Sequence, residues 1–298
     1  MLSRKYETSS KSAGDWLFEQ LAKVGFQFNS VLPQGNPIMF NNSALAQYLG
    51  GLFYLANNNT DSARICFDAA VKAFADNPKV YTTPVPKAID EARTVPAGKA
   101  RLNVLAFAGL SPIKEEGQFT QDWNIIFPNS PDLQNPIFKL PIFQNRSTGE
   151  NRIHVSVGGQ QFDLELIEDM GAVVKETYNA KFSNTFLKTY IRVLVKYAAA
   201  DVSAKAAYDE AIKKGTPAVI AAKARDTAIM GAKKGLDATE AADIRMGRFL
   251  PDQAFVGGVN LDPGSYTAVV TFSSGEKVEI PVNVKAGEIN LIDAVSLK

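Results

Sequence analysis

The chain has 298 residues, 46% hydrophobic and 21% charged, enough apolar material for a sizeable core in one large or two ordinary domains. Its 32 basic and 31 acidic residues leave a formal charge of +1, so no global field favours nucleic acid or an anionic membrane as partner. Cys66 is the only cysteine and His154 the only histidine, which excludes an intramolecular disulfide, a thiolate zinc site and most histidine-based metal sites; no cofactor and no metal are expected.

The opening M-L-S-R-K-Y-E-T-S-S has a basic start without the apolar core of a signal peptide. No run of ~18 apolar residues occurs, so no transmembrane span is expected; the richest stretch, Tyr190 to Ala200, is broken by Arg192 and Lys196. Residues 12–93 read as helical. Trp16, Leu17, Leu21, Val24 and Phe28 recur at helical spacing after Asp15, an N-cap residue type. After the turn-rich V-L-P-Q-G-N-P, a helix pair is predicted over 42–56 and 61–74, joined by the polar Asn57-Asn58-Asn59-Thr60, with Thr60 or Asp61 as cap.

Pro78, Pro84, Pro86 and Pro96 close this block, and the period then changes from helical to two-residue. Leu102–Phe107 reads as a half-buried or fully buried strand. Ile125–Phe127 and Ile137–Phe143 are shorter candidates among prolines, which suit sheet edges because proline cannot donate to a ladder. Ile153–Val157 and Gln161–Leu166 flank Gly158-Gly159, a two-residue hairpin signal. Helix returns at about Asp169 and runs to about Arg245. Ser183 is a candidate cap for the face bearing Phe186, Tyr190, Val193, Leu194 and Tyr197, and Gly215-Thr216-Pro217 marks a break. From Phe255 alternation resumes, with turns at Pro263-Gly264, Ser274-Gly275 and Lys285-Ala286-Gly287.

The expected fold class is therefore α+β. A helical N-terminal region (1–93) precedes a β-sandwich module built from 97–168 and 246–298 and interrupted by a helical insertion at 169–245. Two separate β domains are the competing arrangement.

Catalytic signals are sparse. Cys66 lies among apolar helical neighbours and reads as packing, because a reactive thiolate needs an electropositive, partly exposed site. His154 shares a strand face with Arg152 and Ser156, and no G-x-S-x-G supplies it with a nucleophile. Glu115-Glu116 reads as a loop tip, while Glu168-Asp169 and Asp209-Glu210 suit helix starts or solvated faces. Phosphate-cradling glycine motifs are missing from the sequence. Phe119, Trp123, Phe127, Phe138 and Phe143 read as core first, and as a glycan or peptide groove second.

Gly51, Tyr54, Ala63, Phe67 and Ala70 fall at the small, Tyr, Ala, Phe and Ala positions of a tetratricopeptide (TPR) repeat, which the helix pair resembles. Gln47 and Gly50 stand where that repeat has Trp and Leu. Over most of its length the chain resembles a family of TPR-containing, lipoprotein-like envelope proteins of Gram-negative bacteria. The likeness is carried by Leu102–Gly109 with Pro112 and Lys114, by Leu140-Pro141, and by a basic helix with Lys188, Arg192 and Lys196. It continues in a D-x-R-x-W-x-x-L-P motif matched at Asp243, Arg245, Leu250 and Pro251, and in a P-G-x-Y strand at Pro263, Gly264 and Tyr266 that also looks PEGA-like or Ig-like. Gly247 stands where the family's tryptophan would be.

The resemblance implies export to the periplasm or outer membrane, with a lipid anchor in the precursor, and it implies no reaction. The expectation is a non-enzymatic cell-envelope scaffold that binds a protein partner through the TPR-like surface around Tyr48, Tyr54, Arg64 and Asp68; self-association is left open. The alternative is a cell-wall or glycan-binding accessory protein using Trp123, with a hydrolase third. Asp243 and Arg245, with Leu250 and Pro251, are expected to form a structural junction, as an ion pair or by docking the helical block onto the β module. The two charges are predicted to contact different elements across it, because residues two apart do not face each other on a helix.

Overall fold

A computed structural model describes residues 42–146, 149–150 and 152–297; the helix read at Trp16–Phe28 and the link after it lie outside this set. The chain forms two compact units. One comprises Asn36–Ile113, Phe143–Ala180 and Met246–Lys298, described from residue 42; the other, as described, comprises Lys114–Ile142 and Lys181–Arg245.

The first unit is built on a seven-stranded sheet of β1 (Ala100–Leu110), β4 (Ile153–Val157), β5 (Gln160–Asp169), β6 (Pro251–Leu261), β7 (Gly264–Phe272), β8 (Lys277–Val284) and β9 (Asn290–Ser296). The order is β8-β7-β4-β5-β6-β1-β9. Every pairing is antiparallel except β1 with β9. Gly158 and Gly159 make the β4–β5 turn with φ of 58° and 76°, the left-handed conformations that a tight hairpin needs.

Side chains bring the two edge strands together. Asn290 accepts from the Lys285 N–H at 2.9 Å and donates to Lys285 O at 3.0 Å, and Ser296 Oγ donates to Glu276 Oε2 at 2.8 Å. Pro281 suits an edge strand because proline has no N–H for a ladder. The sheet is thus nearly closed and barrel-like.

This corrects the expected β-sandwich. β4 pairs with β7, and β5 and β1 both pair with β6, so the two β segments of the chain join edge to edge in one sheet. The inner face closes on itself, burying Leu102, Val104, Ile153, Val155, Val270 and Phe272 in one core.

The outer face of the sheet carries the second core. Helices α1 (Ala44–Ala56), α2 (Thr60–Asp76) and α3 (Lys87–Glu91) bury Tyr48, Leu52, Phe67, Ala70 and Ile89 with Leu105, Ile167, Ala254 and Val256 of the sheet. β1 is accordingly buried along both faces, with Leu102 and Val104 inward and Leu105 outward. No TPR-like helical region exists among the described residues. The helix pair is present, but the apolar surface that a repeat would stack on its neighbour is used against the sheet.

The start of α1 is anchored from afar. Ser43 Oγ accepts from the Ala46 N–H at 3.1 Å and donates to Glu168 Oε2 at 2.6 Å, which also accepts from the Leu45 N–H at 2.9 Å. The Ala44 N–H donates to the Tyr81 hydroxyl at 2.8 Å. Three N–H groups that a helix N-terminus leaves without intrahelical partners are thus satisfied. Next to Glu168, Asp169 Oδ1 accepts from the Ala172 N–H at 2.7 Å, capping α4 (Met170–Lys213). That helix starts well before Ser183, whose side chain is outside the described set.

The second unit comprises the two-stranded sheet of β2 (Ile113–Thr120) and β3 (Ile137–Gln144), taken over Lys114–Ile142, with α4 from Lys181 and α5 (Ala218–Thr239). The helical reading of 169–245 is shortened, since 240–247 has no helix. Ile125–Phe127 is a turn rather than a strand. The Glu115-Glu116 pair lies within β2 rather than at a loop tip, and Lys139 of β3 pairs with Glu116 at 2.8 Å.

Burial raises the Glu168 carboxyl above its ordinary value, opposed by the bonds from Ser43 and Leu45. A group whose folded pKa is raised gives stability that is complete below its unfolded pKa and is lost as pH rises through the folded one. Glu168→Gln keeps an oxygen acceptor and removes the titration. In thermal melts the variant should gain on the wild type as pH rises above the ordinary glutamate range; a constant or shrinking gap contradicts this.

Candidate functional site

In the first unit a recess of about 360 Å³ opens between the end of α1, the loop before β1 and the β8–β9 turn. Its floor begins with the strand alternation of β1. Arg101, Asn103 and Leu105 share one face, and this face meets the helix pair, with Leu105 in the outer core.

Arg101 is 6% exposed as a residue. Its Nη2 donates to Glu91 Oε2 at 2.9 Å and its Nε to Asn103 Oδ1 at 3.2 Å. The same oxygen accepts from the Tyr48 hydroxyl at 3.2 Å. Asn290 Nδ2 donates to Arg101 O at 3.1 Å. A Cβ on Gly258 would stand 2.8 Å from Arg101 Nη2 and 2.7 Å from Leu102 O, so the missing side chain makes room for the guanidinium. Burial pushes the Tyr48 phenol up to about 12, against the pull of the Arg101 charge.

Two more cations line the recess. Arg93 pairs with Asp68 at 2.9 Å and Asp90 at 3.0 Å, and lies 5.5 Å from the centre of the Phe67 ring. Lys99 pairs with Asp262 at 2.8 Å. Leu52, Leu55, Val95 and Ile289 supply apolar wall. This arrangement can hold an anionic group against an apolar body.

The surface expected around Tyr48, Tyr54, Arg64 and Asp68 is not one surface. Tyr48 is fully buried, its ring against Phe67 and its hydroxyl on Asn103, so it is no partner anchor. Tyr54 is half-buried beside the exposed Phe53. Arg64 is exposed and shared between Asp61 and Asp68, and Asp68 reaches the recess only by pairing with Arg93. Tyr48 lies on the buried face of α1, whereas Arg64 and Asp68 lie on the exposed face of α2.

Trp123 is likewise corrected. It is fully buried in the second unit, with Phe127, Phe138, Tyr190 and Tyr197 within 5.4–5.8 Å between ring centres, so no glycan can stack on it. Phe182, Phe186 and Tyr190 extend this cluster at four-residue spacing along α4.

Asp243 and Arg245 pair with each other and not across a junction. Arg245 Nε donates to Asp243 Oδ1 at 2.8 Å and Nη2 to Oδ2 at 2.9 Å. The helical argument against this fails because the segment is not helical. The Arg245 fork holds the Asp243 carboxyl well below the usual carboxylate range, yet both side chains stand in solvent. Within the first unit the segment before β6 is held instead by Arg146, which donates to Ser111 O at 2.7 and 3.0 Å and to Arg248 O at 2.8 Å. Leu250 O accepts from the Ser111 N–H at 2.9 Å, and Pro251 opens β6. A Cβ on Gly247 would meet Leu250 Cγ at 3.1 Å; Leu250 fills the space beside this glycine.

Cys66 is half-buried, with burial pushing its thiol up. His154 Nδ1 lies 2.8 Å from Asp163 Oδ1, and Arg152 Nε donates to Oδ2 of the same carboxylate at 3.0 Å. These bonds, that of His154 first, hold Asp163 below its ordinary value. Among the described residues no group of three His, Cys, Asp or Glu side chains is placed to hold a metal ion.

Two polar centres escaped the sequence reading. Arg101 and Asn103 were hidden in an apolar run, although polar residues two apart in A-R-L-N-V-L-A-F mark one strand face as chemically different. Glu240 is the other. Its side chain is buried in the second unit; Oε1 accepts from Arg192 Nε at 2.9 Å and from Arg192 Nη2, and Oε2 accepts from Lys196 Nζ at 3.0 Å. Nearby, Asp237 accepts from the Tyr197 hydroxyl and from Lys233. The basic residues of α4 thus fasten the end of α5.

Comparison with protein-family models, with curated proteins and with solved structures finds no match for the chain. No helix among the described residues is long and apolar enough to cross a membrane.

Removing Glu240 leaves Arg192 and Lys196 without their shared carboxylate, though both reach solvent in part. Glu240→Ala should therefore cost about 2 kcal/mol, below the full penalty of an orphaned buried pair. Urea unfolding followed by circular dichroism measures it, and an unchanged midpoint contradicts the clamp.

Proposed function

We propose that the protein is a non-catalytic scaffold of the cell envelope that binds a protein partner, and that the partner lies on the exposed face of α4 in the second unit. One observation supports this reading. Ile191, Val195 and Val202 are 49%, 62% and 67% exposed, and their spacing of four and seven residues puts them on one stripe of the helix. Ala199, also exposed, continues the stripe between them.

The opposite face is already satisfied by Phe186, Tyr190, Val193 and Tyr197, all buried. A helix whose second face met only water would carry charged residues there. An apolar stripe flanked by Lys188 and Arg192 has instead the make-up of an interface, apolar at its centre and polar at its rim. Residence in the envelope rests on the family resemblance alone.

Photo-crosslinking from positions 195 and 202 in envelope extracts tests the proposal. We expect one dominant protein adduct, lost in Val195→Glu/Val202→Glu while the circular dichroism spectrum stays unchanged. Adducts that persist in the double variant, or that contain only a second copy of this chain, contradict a partner at this face.

A further inference from the structure

We infer that the recess beside Arg101 is a binding site for a small molecule carrying a carboxylate on a short apolar body, with the carboxylate held by the Arg101 guanidinium. The site is separate from the α4 face.

The inference rests on what Arg101 lacks. A guanidinium has five N–H donors in a planar fork. In this chain the side chain is 5% exposed, yet it makes two hydrogen bonds, to Glu91 and Asn103. Nη1 has no protein partner among the described residues and is not sealed from solvent, and the residue lines an open space of about 360 Å³. A recess of this size lies at the small end of the ~300–1,000 Å³ found for small-molecule sites.

The fork is also fixed before any ligand arrives. Asn103 Oδ1 holds Nε, the Tyr48 hydroxyl holds Asn103 Oδ1, and Gly258 leaves the guanidinium its place. Such preorganisation lowers the ordering cost of binding. The planar shape of a carboxylate matches two parallel N–H groups.

The charges around the recess select the ligand further. Arg93 and Lys99 in the lining disfavour a cation. Glu91 on Arg101 and Glu288 in the lining disfavour the double charge of a phosphate, so a monoanion fits best. The walls of Leu52, Leu55, Val95 and Ile289 ask for an apolar body beyond the carboxylate.

Octanoate, octanol and octylamine, titrated into the full chain and followed by amide chemical shifts, test this. Octanoate should shift amides of 95–101 and 287–289 and bind at least about tenfold more tightly than octanol, with octylamine weakest. Arg101→Lys keeps the charge and loses the fork, and should weaken octanoate about tenfold. Because Arg101 is buried, Val95→Trp and Ile289→Trp serve as second variants; both positions are partly exposed, and filling the recess there should abolish binding in a folded protein. Octanol binding as tightly as octanoate, octanoate binding undiminished in both tryptophan variants, or no shifts at millimolar octanoate would overturn the inference. Val195→Glu/Val202→Glu should leave octanoate binding unchanged, so failure at one site says nothing about the other.

Discussion

Asn103 Oδ1 accepts one hydrogen bond from the Tyr48 hydroxyl and another from Arg101 Nε, and all three residues are buried. Each of these groups loses water on folding and is stabilised only if its partners arrive in register. Tyr48 belongs to α1, Arg101 and Asn103 to β1, and Asn103 Nδ2 donates to the backbone oxygen of Asn290, at the start of β9, at 3.5 Å. One carboxamide therefore couples the helix pair, a central strand and the closing edge of the barrel. Apolar burial alone would let α1 slide over the sheet, because the hydrophobic effect has no direction. The polar contact is what fixes the register, and the recess beside Arg101 follows from it.

The two units solve the same problem with different residues. The barrel unit relies on strict alternation, as in β9, where Asn290, Ile292, Ala294 and Ser296 are buried and the residues between them are exposed. The second unit has little alternation. Its ribbon strand β2 buries only Gly117. Its core is an aromatic cluster around Trp123, and its outer tie is the Glu240 clamp with Arg192 and Lys196. The apolar stripe of α4 is left over once these requirements are met.

Much of the secondary structure was legible because local chemistry and tertiary need agreed. Gly158-Gly159 between two alternating runs, the α1–α2 pair and the Tyr266–Phe272 strand all appear near their expected positions. Architecture was less legible. Nothing in the residues of β4 and β7 says that they pair with each other, so the two β segments read as facing layers when they are neighbours in one sheet. The TPR likeness of Gly51, Phe67 and Ala70 misled, because the small and aromatic residues that pack one helix on another are used here to pack the pair on the sheet. Site residues failed for a related reason. Tyr48 and Trp123 have the composition of binding anchors, and burial, which sequence does not display, decides otherwise. Asp243 and Arg245 were judged by helical geometry in a segment that is not helical.

If the Tyr48–Asn103–Arg101 contact makes the helix pair part of the barrel, the two must open together. Native-state hydrogen exchange measures this directly, because amides that open in one cooperative unit share one free energy of opening. The account predicts that the slowest amides of α1 and α2 exchange with the same opening free energy as those of β1 and β6. Exchange of the helix pair at a distinctly lower free energy, with the strands still protected, would contradict it.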